Sequence, residues 1–455
     1  MLEILSHQYL KKYSKSNKIN WEHAYSFIRI ASKCIRSQRN CLINSEMFAT
    51  YEWLLFLLIP LFLNKRDTIC VVNKRQLNFL QEEQLPLLKE LGFKFKFDKR
   101  KICLDSHQIF FLDLKDLIKK NTCKPFELTP IVFSEISNIK EDLKNIFLIS
   151  LDRRNWFQIN HYDNSQEIIG VYNFLKRSFF ARSVEKNKVL TLEESDIKFL
   201  EEFFIKNKSF SKEFLAIKYA FESRWACWVE LDHINLEWTL KMEPVDECLE
   251  IKSLLKNNFC LFLSKQRKDN FFQSYLSNYQ INIYFSLSLK SNFVEKDIII
   301  YCPSRQILPN NPKFSGMLLK QTKKLIMFRK GWILILSNDN NLKIKIATEL
   351  AALYGHKVLN EKLPTKNDEI VCATYQWWLN QTQKSVSPDQ IIVLLLPIPS
   401  VEMPINSLTI KSLKKNSKDW FRDFLLPEAI RVLDISVSPL RKNAGKLIIL
   451  DGRVT

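Results

Sequence analysis

Short apolar runs that alternate with helical stretches are the feature that most limits how this chain can fold. The clearest runs span residues 68–72, 131–133, 331–336, 390–396 and 446–450. A continuous apolar run of about four to eight residues between turn signals is typical of a strand that is buried on both faces. Because parallel neighbours need a crossover connection, helical segments between such strands predict a doubly wound parallel sheet.

The final stretch, residues 420–455, shows this pattern most fully. Apolar residues at helical spacing predict a helix, and Pro427 suits its first turn because that position needs no backbone N–H. A basic turn at Arg441 and Lys442 follows, and then the apolar run 446–450. The chain is therefore expected to end as helix, basic turn and buried strand.

The charge of the chain is strongly positive. It holds 68 basic and 49 acidic residues among 455, which gives a formal net charge of +19. An excess of this size favours a polyanionic partner. The alternative is a coding bias towards lysine, since Lys, Asn and Ile are all abundant here, and in that case the charge only solvates the surface.

The cysteines and the N-terminus bear on location. Ten cysteines without a CxxC pair are typical of a reducing cytoplasm. The N-terminal residues are mixed and charged, unlike a secretion signal. The most apolar run, residues 53–63, contains Pro60 and is too short to span a bilayer. We therefore expect a cytoplasmic protein that does not enter the membrane.

Two C-terminal runs resemble a known helicase signature. Leu-Pro-Glu-Ala at 426–429 and Leu-Asp-Gly-Arg at 450–453 are similar to the motif VI region of DinG/XPD-type helicases of superfamily 2. Leu-Pro-Ile-Pro at 396–399 resembles the "LPFP" segment of the same family. The order and spacing of the predicted elements agree with that family along nearly the whole chain.

The resemblance implies an α/β fold with two RecA-like doubly wound parallel-sheet lobes and a helical insertion in the first. It places the N-terminal part of the first lobe at residues 1–145. An aromatic-rich helical insertion, with the return to the first lobe, would follow at 146–242. The second, C-terminal helicase lobe would then span 243–455.

The phosphate-loop position departs from the family pattern. ATP-driven helicases need a glycine-rich loop ending in Lys-Ser/Thr, which cradles the phosphates and holds Mg²⁺. The matching run here is 46–52, which contains neither glycine nor lysine. Tyr51 stands where the lysine belongs, and Glu52 stands where the hydroxyl belongs. An ordinary strand-to-helix loop is the alternative interpretation.

The family's acidic box is also incomplete. Catalysis needs an Asp for Mg²⁺ and a Glu that orients the attacking water. The matching positions are Ser134 and Glu135, and Ser137 replaces the histidine of the box. Glu135 is therefore the candidate catalytic residue, and the alternative is a carboxylate that caps the start of a helix.

The arginines of motif VI are missing from their places. These arginines stabilise the γ-phosphate charge during transfer. Ser436 and Pro439 occupy their positions, while Arg431 and Arg441 lie nearby but offset. We assign Arg431, Arg441 and Lys442 as candidate nucleic-acid contacts, with a solvated basic turn as the alternative.

Aromatic residues supply the remaining candidates. Trp377 and Trp378 lie where the family has a Phe-Trp-Glu-Gly segment, and two adjacent indoles could stack on unpaired bases. The alternative is that both pack in the core. The run 93–97, Phe-Lys-Phe-Lys-Phe, is compatible with single-strand binding and equally with an edge strand guarded by lysines.

Cofactors and partners follow from the resemblance alone. The family implies ATP and Mg²⁺, but the altered motifs predict that hydrolysis is weakened or lost. Cys70, Cys103 and Cys123 are too few for the four-thiolate iron–sulfur cluster that some relatives hold, so no cluster is expected. The six histidines are isolated, and we expect no metal site.

Three hypotheses therefore stand after the sequence is considered. The first is a DinG-type homologue that binds single-stranded DNA and in which ATP hydrolysis is weakened or lost. The second is an active helicase with noncanonical motifs. The third is a non-enzymatic scaffold that binds a protein partner.

Overall fold

A computed structural model describes residues 2–17, 21–45, 48, 51–123, 126–137, 139–158, 165–183, 189–206, 212–223, 225–246, 249–265, 270–289, 297–327, 331–381, 387–415 and 417–454. The chain divides into two compact units. The first comprises Met1–Leu289 and Ser400–Lys418, and the second comprises Lys290–Pro399 and Asp419–Thr455.

The elements up to residue 289 are α1 (Leu2–Ser16), α2 (Ala24–Ser37), β1 (Cys41–Asn44), α3 (Trp53–Leu63), β2 (Thr68–Val71), α4 (Lys74–Phe79), α5 (Leu85–Glu90), β3 (Lys96–Asp98), β4 (Lys101–Cys103), β5 (Gln108–Leu112), α6 (Leu114–Cys123), β6 (Ile131–Phe133), α7 (Ile139–Phe147), β7 (Ile149–Leu151), α8 (Arg153–Gln158), α9 (Ser165–Arg182), β8 (Val189–Thr191), α10 (Glu194–Lys206), α11 (Lys212–Glu222), β9 (Ala226–Asp232), β10 (Glu237–Glu243), α12 (Lys252–Asn257), β11 (Cys260–Ser264), α13 (Asn270–Asn278) and β12 (Phe285–Ser288).

The elements after residue 289 are β13 (Ile299–Tyr301), α14 (Phe314–Met327), β14 (Ile333–Leu336), α15 (Asn340–Tyr354), β15 (Val358–Asn360), β16 (Ile370–Ala373), α16 (Tyr375–Gln381), β17 (Gln390–Val393), α17 (Pro404–Lys415), α18 (Leu426–Val437) and β18 (Lys446–Ile449). Of these, α17 belongs to the first unit, where it packs against β9.

The first unit is built on an eight-stranded sheet in the order β12-β1-β11-β6-β2-β5-β4-β3. The strands from β12 to β5 are parallel, and β4 and β3 close the edge as an antiparallel hairpin. The sequence interpretation began the second lobe at residue 243, whereas β11 and β12 pair with β1 in this first sheet. The sequence of a strand that follows an insertion does not indicate the sheet in which that strand pairs.

The burial of helix α3 explains why its residues are almost all apolar. Ten of its eleven residues are buried, because α1 and α2 cover it. A helix that is apolar all round must lie inside the protein. Near its C-terminal end the carbonyl of Leu61 pairs with Nε2 of the buried His107 at 3.0 Å.

The edge hairpin decides the role of the Phe-Lys-Phe-Lys-Phe run. Phe93 and Phe95 turn inward, with ring centroids 5.1 and 5.3 Å from that of Phe62. Lys94 and Lys96 alternate with them and are exposed. The run therefore leads into the edge strand β3, which contains its last two residues, and its lysines point outward, in partial agreement with the alternative interpretation.

The insertion holds more than helices. Helices α8 to α11 surround an antiparallel sheet in the order β7-β10-β9-β8, which the sequence interpretation did not include. Its core is a cluster of large aromatic side chains, among them Trp156, Phe179 and Trp238. The sequence predicted a mostly helical, aromatic-rich segment here, but aromatic residues also suit strands.

The second unit contains a six-stranded parallel sheet in the order β13-β18-β17-β14-β16-β15. Side chains of β14 alternate between two cores, with Ile333 and Ile335 in one and Leu334 and Leu336 in the other. Both faces of this sheet are covered, and this is why its strands are continuous apolar runs. None of the described helices is long and apolar enough to cross a membrane.

Two π-helical turns, Leu80–Gln84 and Phe421–Leu425, precede α5 and α18. Each is followed by a Leu-Pro pair, with Pro86 or Pro427 in the first turn of the next helix. Proline cannot donate to the preceding turn, and a widened turn accommodates this loss. The predicted helix, basic turn and strand at the C-terminus are all present.

Candidate nucleotide site

The carboxyl ends of the central strands meet at one edge of the first sheet, where open parallel sheets bind ligands. Ser45 follows β1, Lys265 follows β11 and Ser134 follows β6, and these three strands are neighbours. The positions that match the family's phosphate loop and acidic box therefore lie at the same edge of this sheet. Residues 46, 47, 49 and 50 of the loop lie outside the described part of the chain.

Glu135 is held by two groups at this edge. One carboxylate oxygen accepts the backbone N–H of Ser137 at 2.8 Å. The other lies 3.6 Å from Nζ of Lys265, and both side chains are mostly buried. A base that orients water needs a free oxygen pointing at the water. Here each of the two oxygens already has a partner within the protein.

Ser134, at the position of the metal-binding Asp, has a structural role. Its hydroxyl donates to Oε1 of Gln76 at 2.7 Å. Gln76 and Asn73 also exchange hydrogen bonds that cap the start of α4. A serine that anchors a helix cap in this way does not offer the carboxylate that Mg²⁺ prefers.

Tyr51 and Glu52 lie directly before α3. The Tyr51 phenol is half-buried, and its ring centroid is 5.7 Å from that of Phe79. Burial raises the pKa of Tyr51; the charge of Arg75 opposes this shift and that of Glu135 adds to it. The phenol is therefore neutral near pH 7 and cannot balance phosphate charge. Glu52 is exposed, and its side chain makes no capping hydrogen bond.

A second Lys–Glu pair lies in the other unit, between Lys343 on α15 and Glu361 directly after β15. Glu361 accepts hydrogen bonds from Nζ of Lys343 at 2.9 Å and from the hydroxyl of Thr374 at 2.8 Å. Although burial opposes it, this pairing holds the pKa of Glu361 below its ordinary value. Sequence reasoning missed both Lys–Glu pairs, since the partners in each are far apart along the chain.

The two tryptophans have different environments. Trp378 is fully buried and donates its indole N–H to the carbonyl of Ser436 at 2.9 Å. Its ring packs against Trp332. A fully buried indole presents no face to a base, so Trp378 is a core residue. Trp377 is half-buried at the margin of the same core, and stacking stays a prediction for Trp377 alone.

The basic candidates near α18 also separate. Arg431 is buried and forms an ion pair with Glu428 at 2.6 Å, which commits its guanidinium to the protein. Arg441 is partly exposed and lies 4.0 Å from Asp434. The side chain of Lys442 lies outside the described residues. Arg441 is therefore a partly exposed residue in an ion pair with Asp434, and its contact with nucleic acid stays a prediction.

The cysteines that could have held a cluster lie on separate elements. Cys70 is on β2, where burial raises the pKa of its thiol to about 12, and Cys103 is on β4. The side chain of Cys123 lies outside the described residues. In the part of the chain that the structure describes, no three acidic, His or Cys side chains gather as a metal site requires.

The positive charge is unevenly distributed. Residues 146–242 contain 14 basic and 14 acidic residues, so the whole excess of +19 belongs to the rest of the chain. The stretch 252–330 alone holds 14 basic residues against three acidic ones. Attraction for a polyanion would therefore come from the two lobes and not from the insertion.

The fold is similar to that of solved XPD helicases. A structure of Xpd4 from S. tokodaii aligns with a TM-score of 0.61 at 13% identity, covering 95% of this chain and 96% of that one. Structures of apo XPD and of an XPD helicase give TM-scores of 0.60 and 0.58, each at 10% identity. They cover 94% and 93% of this chain, and 96% and 95% of their own.

At this identity the likeness shows the fold. The prediction of two RecA-like lobes with a helical insertion in the first is confirmed. No family model matches the sequence. No curated protein matches it either.

Proposed function

We propose that this chain is a nucleic-acid-binding protein built on the XPD-type helicase fold, of DinG-type descent, and that it no longer turns over ATP. The observation that carries the loss of hydrolysis is the Lys265–Glu135 pair at the edge of the first sheet. With the Ser137 N–H on the other oxygen, this pair engages both oxygens of the candidate catalytic carboxylate within the protein.

The neighbouring positions support the same conclusion. Phosphate binding depends on a lysine and on glycine-rich backbone, and the loop here offers a neutral Tyr51 and the anionic Glu52 instead. Mg²⁺ would need an acidic ligand where Ser134 donates to Gln76. ATP and Mg²⁺ are therefore the cofactors that the helicase fold implies, and the residues at this site are unsuited to bind them.

The positive net charge of the chain favours single-stranded nucleic acid as its partner. The resemblance to DinG/XPD-type helicases favours DNA. The solved proteins with this fold are named as XPD helicases. Binding of a single strand to a basic surface releases counterions, so affinity falls steeply with salt. The charge excess outside the insertion is the feature that supports this partner.

The first test is ATP turnover by the purified chain, with and without single-stranded DNA, beside a Glu135→Ala variant. We expect no turnover above background in any sample. Turnover that DNA stimulates and that Glu135→Ala abolishes would contradict the proposal and establish an active helicase with noncanonical motifs.

The second test is DNA binding across a range of salt concentrations. A steep linear fall of log affinity with log salt is the expected result. A protein that neither turns over ATP nor binds single-stranded DNA at low salt would instead be a protein-binding scaffold. The cytoplasmic location, inferred from the cysteines, is part of the proposal and is checked by fractionation of cells.

A further inference from the structure

Two cysteine side chains meet where α2 leads into β1. Cys34 lies in the last turn of α2, and Cys41 is the first residue of β1. Their thiols are within hydrogen-bond reach of each other. Both residues belong to one short stretch of chain, so the two sulfurs are neighbours without any movement of distant segments.

The turn that connects the two cysteines is anchored at both ends. The backbone N–H of Gln38, whose φ is 51°, donates to the carbonyl of Cys34 at 3.0 Å. The side-chain oxygen of Asn40 accepts the backbone N–H of Cys260 at 2.9 Å, which ties the turn to β11. The backbone around each thiol is therefore fixed, and the pair is arranged before any reagent arrives.

The two thiols differ in their affinity for a proton. The Cys41 thiol has two acceptors within reach, the carbonyl of Arg39 at 3.1 Å and the sulfur of Cys34. The hydrogen bond from Cys41 and the charge of Lys33 lower the pKa of Cys34 below its ordinary value, although burial opposes them. The same hydrogen bond and burial raise the pKa of Cys41. Because the thiolate is the reactive form, Cys34 is the nucleophile of the pair.

The pair is buried beside an exposed turn. Cys34 is 4% exposed and Cys41 is 2% exposed, whereas residues 37–39 between them are exposed. Opening of a helix end costs little free energy, so a small reagent can reach thiols at this place. By contrast, Cys70 and Cys260 lie on the inner strands β2 and β11, where burial raises the pKa of each thiol.

We propose that Cys34 and Cys41 form a dithiol site that a hydroperoxide oxidises to a disulfide. With hydrogen peroxide, the Cys34 sulfur attacks one oxygen, the O–O bond breaks, and the departing hydroxide takes the thiol proton as water. Cys34 is then a sulfenic acid. The Cys41 sulfur attacks the Cys34 sulfur, the S–O bond breaks, and the departing hydroxide takes the Cys41 proton as water. Two thiols and one peroxide thus give one disulfide and two waters.

The neighbouring thiol makes this oxidation reversible. A sulfenic acid that meets more peroxide goes on to sulfinic acid, which ordinary thiol reductants do not restore. Cys41 instead captures the first product as a disulfide, and thiol–disulfide exchange returns both thiols. In the reducing cytoplasm proposed above, the pair is expected as two thiols until a hydroperoxide is present. The inference does not depend on the proposed binding of nucleic acid.

The test maps disulfides by mass spectrometry in the purified native chain. The protein is treated with hydrogen peroxide, blocked with N-ethylmaleimide in denaturant and digested with trypsin. Trypsin cleaves after Arg36 and Arg39, so Cys34 and Cys41 fall on separate peptides that only a disulfide joins. We expect the joined peptides to become the main form and dithiothreitol to separate them. The buried thiols of Cys70 and Cys260 are matched internal controls and should carry the N-ethylmaleimide label.

Two single variants test the role of each thiol. In Cys41→Ser, dimedone should label Cys34, because its sulfenic acid lacks the resolving thiol. In Cys34→Ser, dimedone should leave Cys41 unlabelled, and equal labelling of Cys41 would overturn the assignment of Cys34 as nucleophile. Circular dichroism checks the folding of both variants. The disulfide mapping uses the wild-type chain, so it decides the proposal even where a variant fails to fold.

The exposed Cys302 shows whether the oxidant is active in each sample. Peroxide that oxidises Cys302 while Cys34 and Cys41 remain thiols in the native protein would overturn the proposal. Joined peptides that form only after denaturation would overturn it as well, because the folded arrangement of the two thiols would then have no part in the reaction.

Discussion

Removing the cation beside Glu135 tests the central claim about the nucleotide site. The change Lys265→Met keeps most of the side-chain volume and deletes the charge. In the structure the two charges lie 3.6 Å apart, and less than one-fifth of each side chain is exposed. Coulomb's law with an effective dielectric constant of about 20 gives an attraction of roughly 5 kcal/mol at this distance.

Solvation reduces that attraction to a smaller net effect. Each charge loses part of its hydration at the sheet edge, and the remaining exposure allows water to screen the pair. We expect a coupling free energy of about 1–2 kcal/mol between the two side chains. This value is above the additivity error of about 0.3–0.5 kcal/mol for independent sites, so a double-mutant cycle can resolve it.

The cycle needs Lys265→Met, Glu135→Gln and the double variant. Because a chain of two units need not unfold in one step, the readout is amide hydrogen exchange of peptides that cover β6 and β11. Opening free energies that are simply additive would refute the claim that Lys265 holds Glu135. The same samples should show no ATP turnover, since none of these changes adds glycine or lysine to the phosphate loop. Turnover by Lys265→Met would instead show that the ion pair inhibits a functional ATPase site.

Three further changes test the second unit. Trp378→Phe should lower the free energy of opening by about 1–3 kcal/mol, because the carbonyl of Ser436 loses its buried donor. The variant should bind DNA with unchanged affinity. Weaker binding of DNA by this folded variant would show that Trp378 is a contact. Asp451→Asn should lower the melting temperature above about pH 4 and have little effect below it. The reason is that hydrogen bonds to the carboxylate outweigh burial and hold the pKa of Asp451 below its ordinary value. Equal melting temperatures of variant and wild type above about pH 4 would contradict this. Gly331→Ala should lower the melting temperature by several degrees, since φ is +78° and an added Cβ would collide with the side chain of Asp389. An unchanged melt would show that this turn can shift.

The buried strands were predictable to within a residue or two. The runs at β6 and β14 are apolar without interruption and are bounded by turn residues, so composition and length alone identify them. The antiparallel sheet of the insertion was missed because its strands are half-polar and lie among aromatic residues. The sheet to which β11 belongs was also missed, since pairing is decided by contacts far along the chain.

The candidate site was predictable in position but not in chemistry. Sequence order located Glu135 after a buried strand and identified the altered phosphate loop. It gave no sign that Lys265, far along the chain, would meet that carboxylate. It also could not separate Trp377 from Trp378, because adjacent helical residues point in different directions and only packing shows which one is enclosed.

The sequence by itself determined the class of fold and the loss of the phosphate-binding residues, since both depend on residue type and local order. The tertiary structure alone decided which charges meet, which rings are enclosed and which remain at the surface. Those outcomes depend on contacts between distant segments, and local periodicity holds no information about them. The Lys265–Glu135 pair and the enclosure of Trp378 both arise in that way.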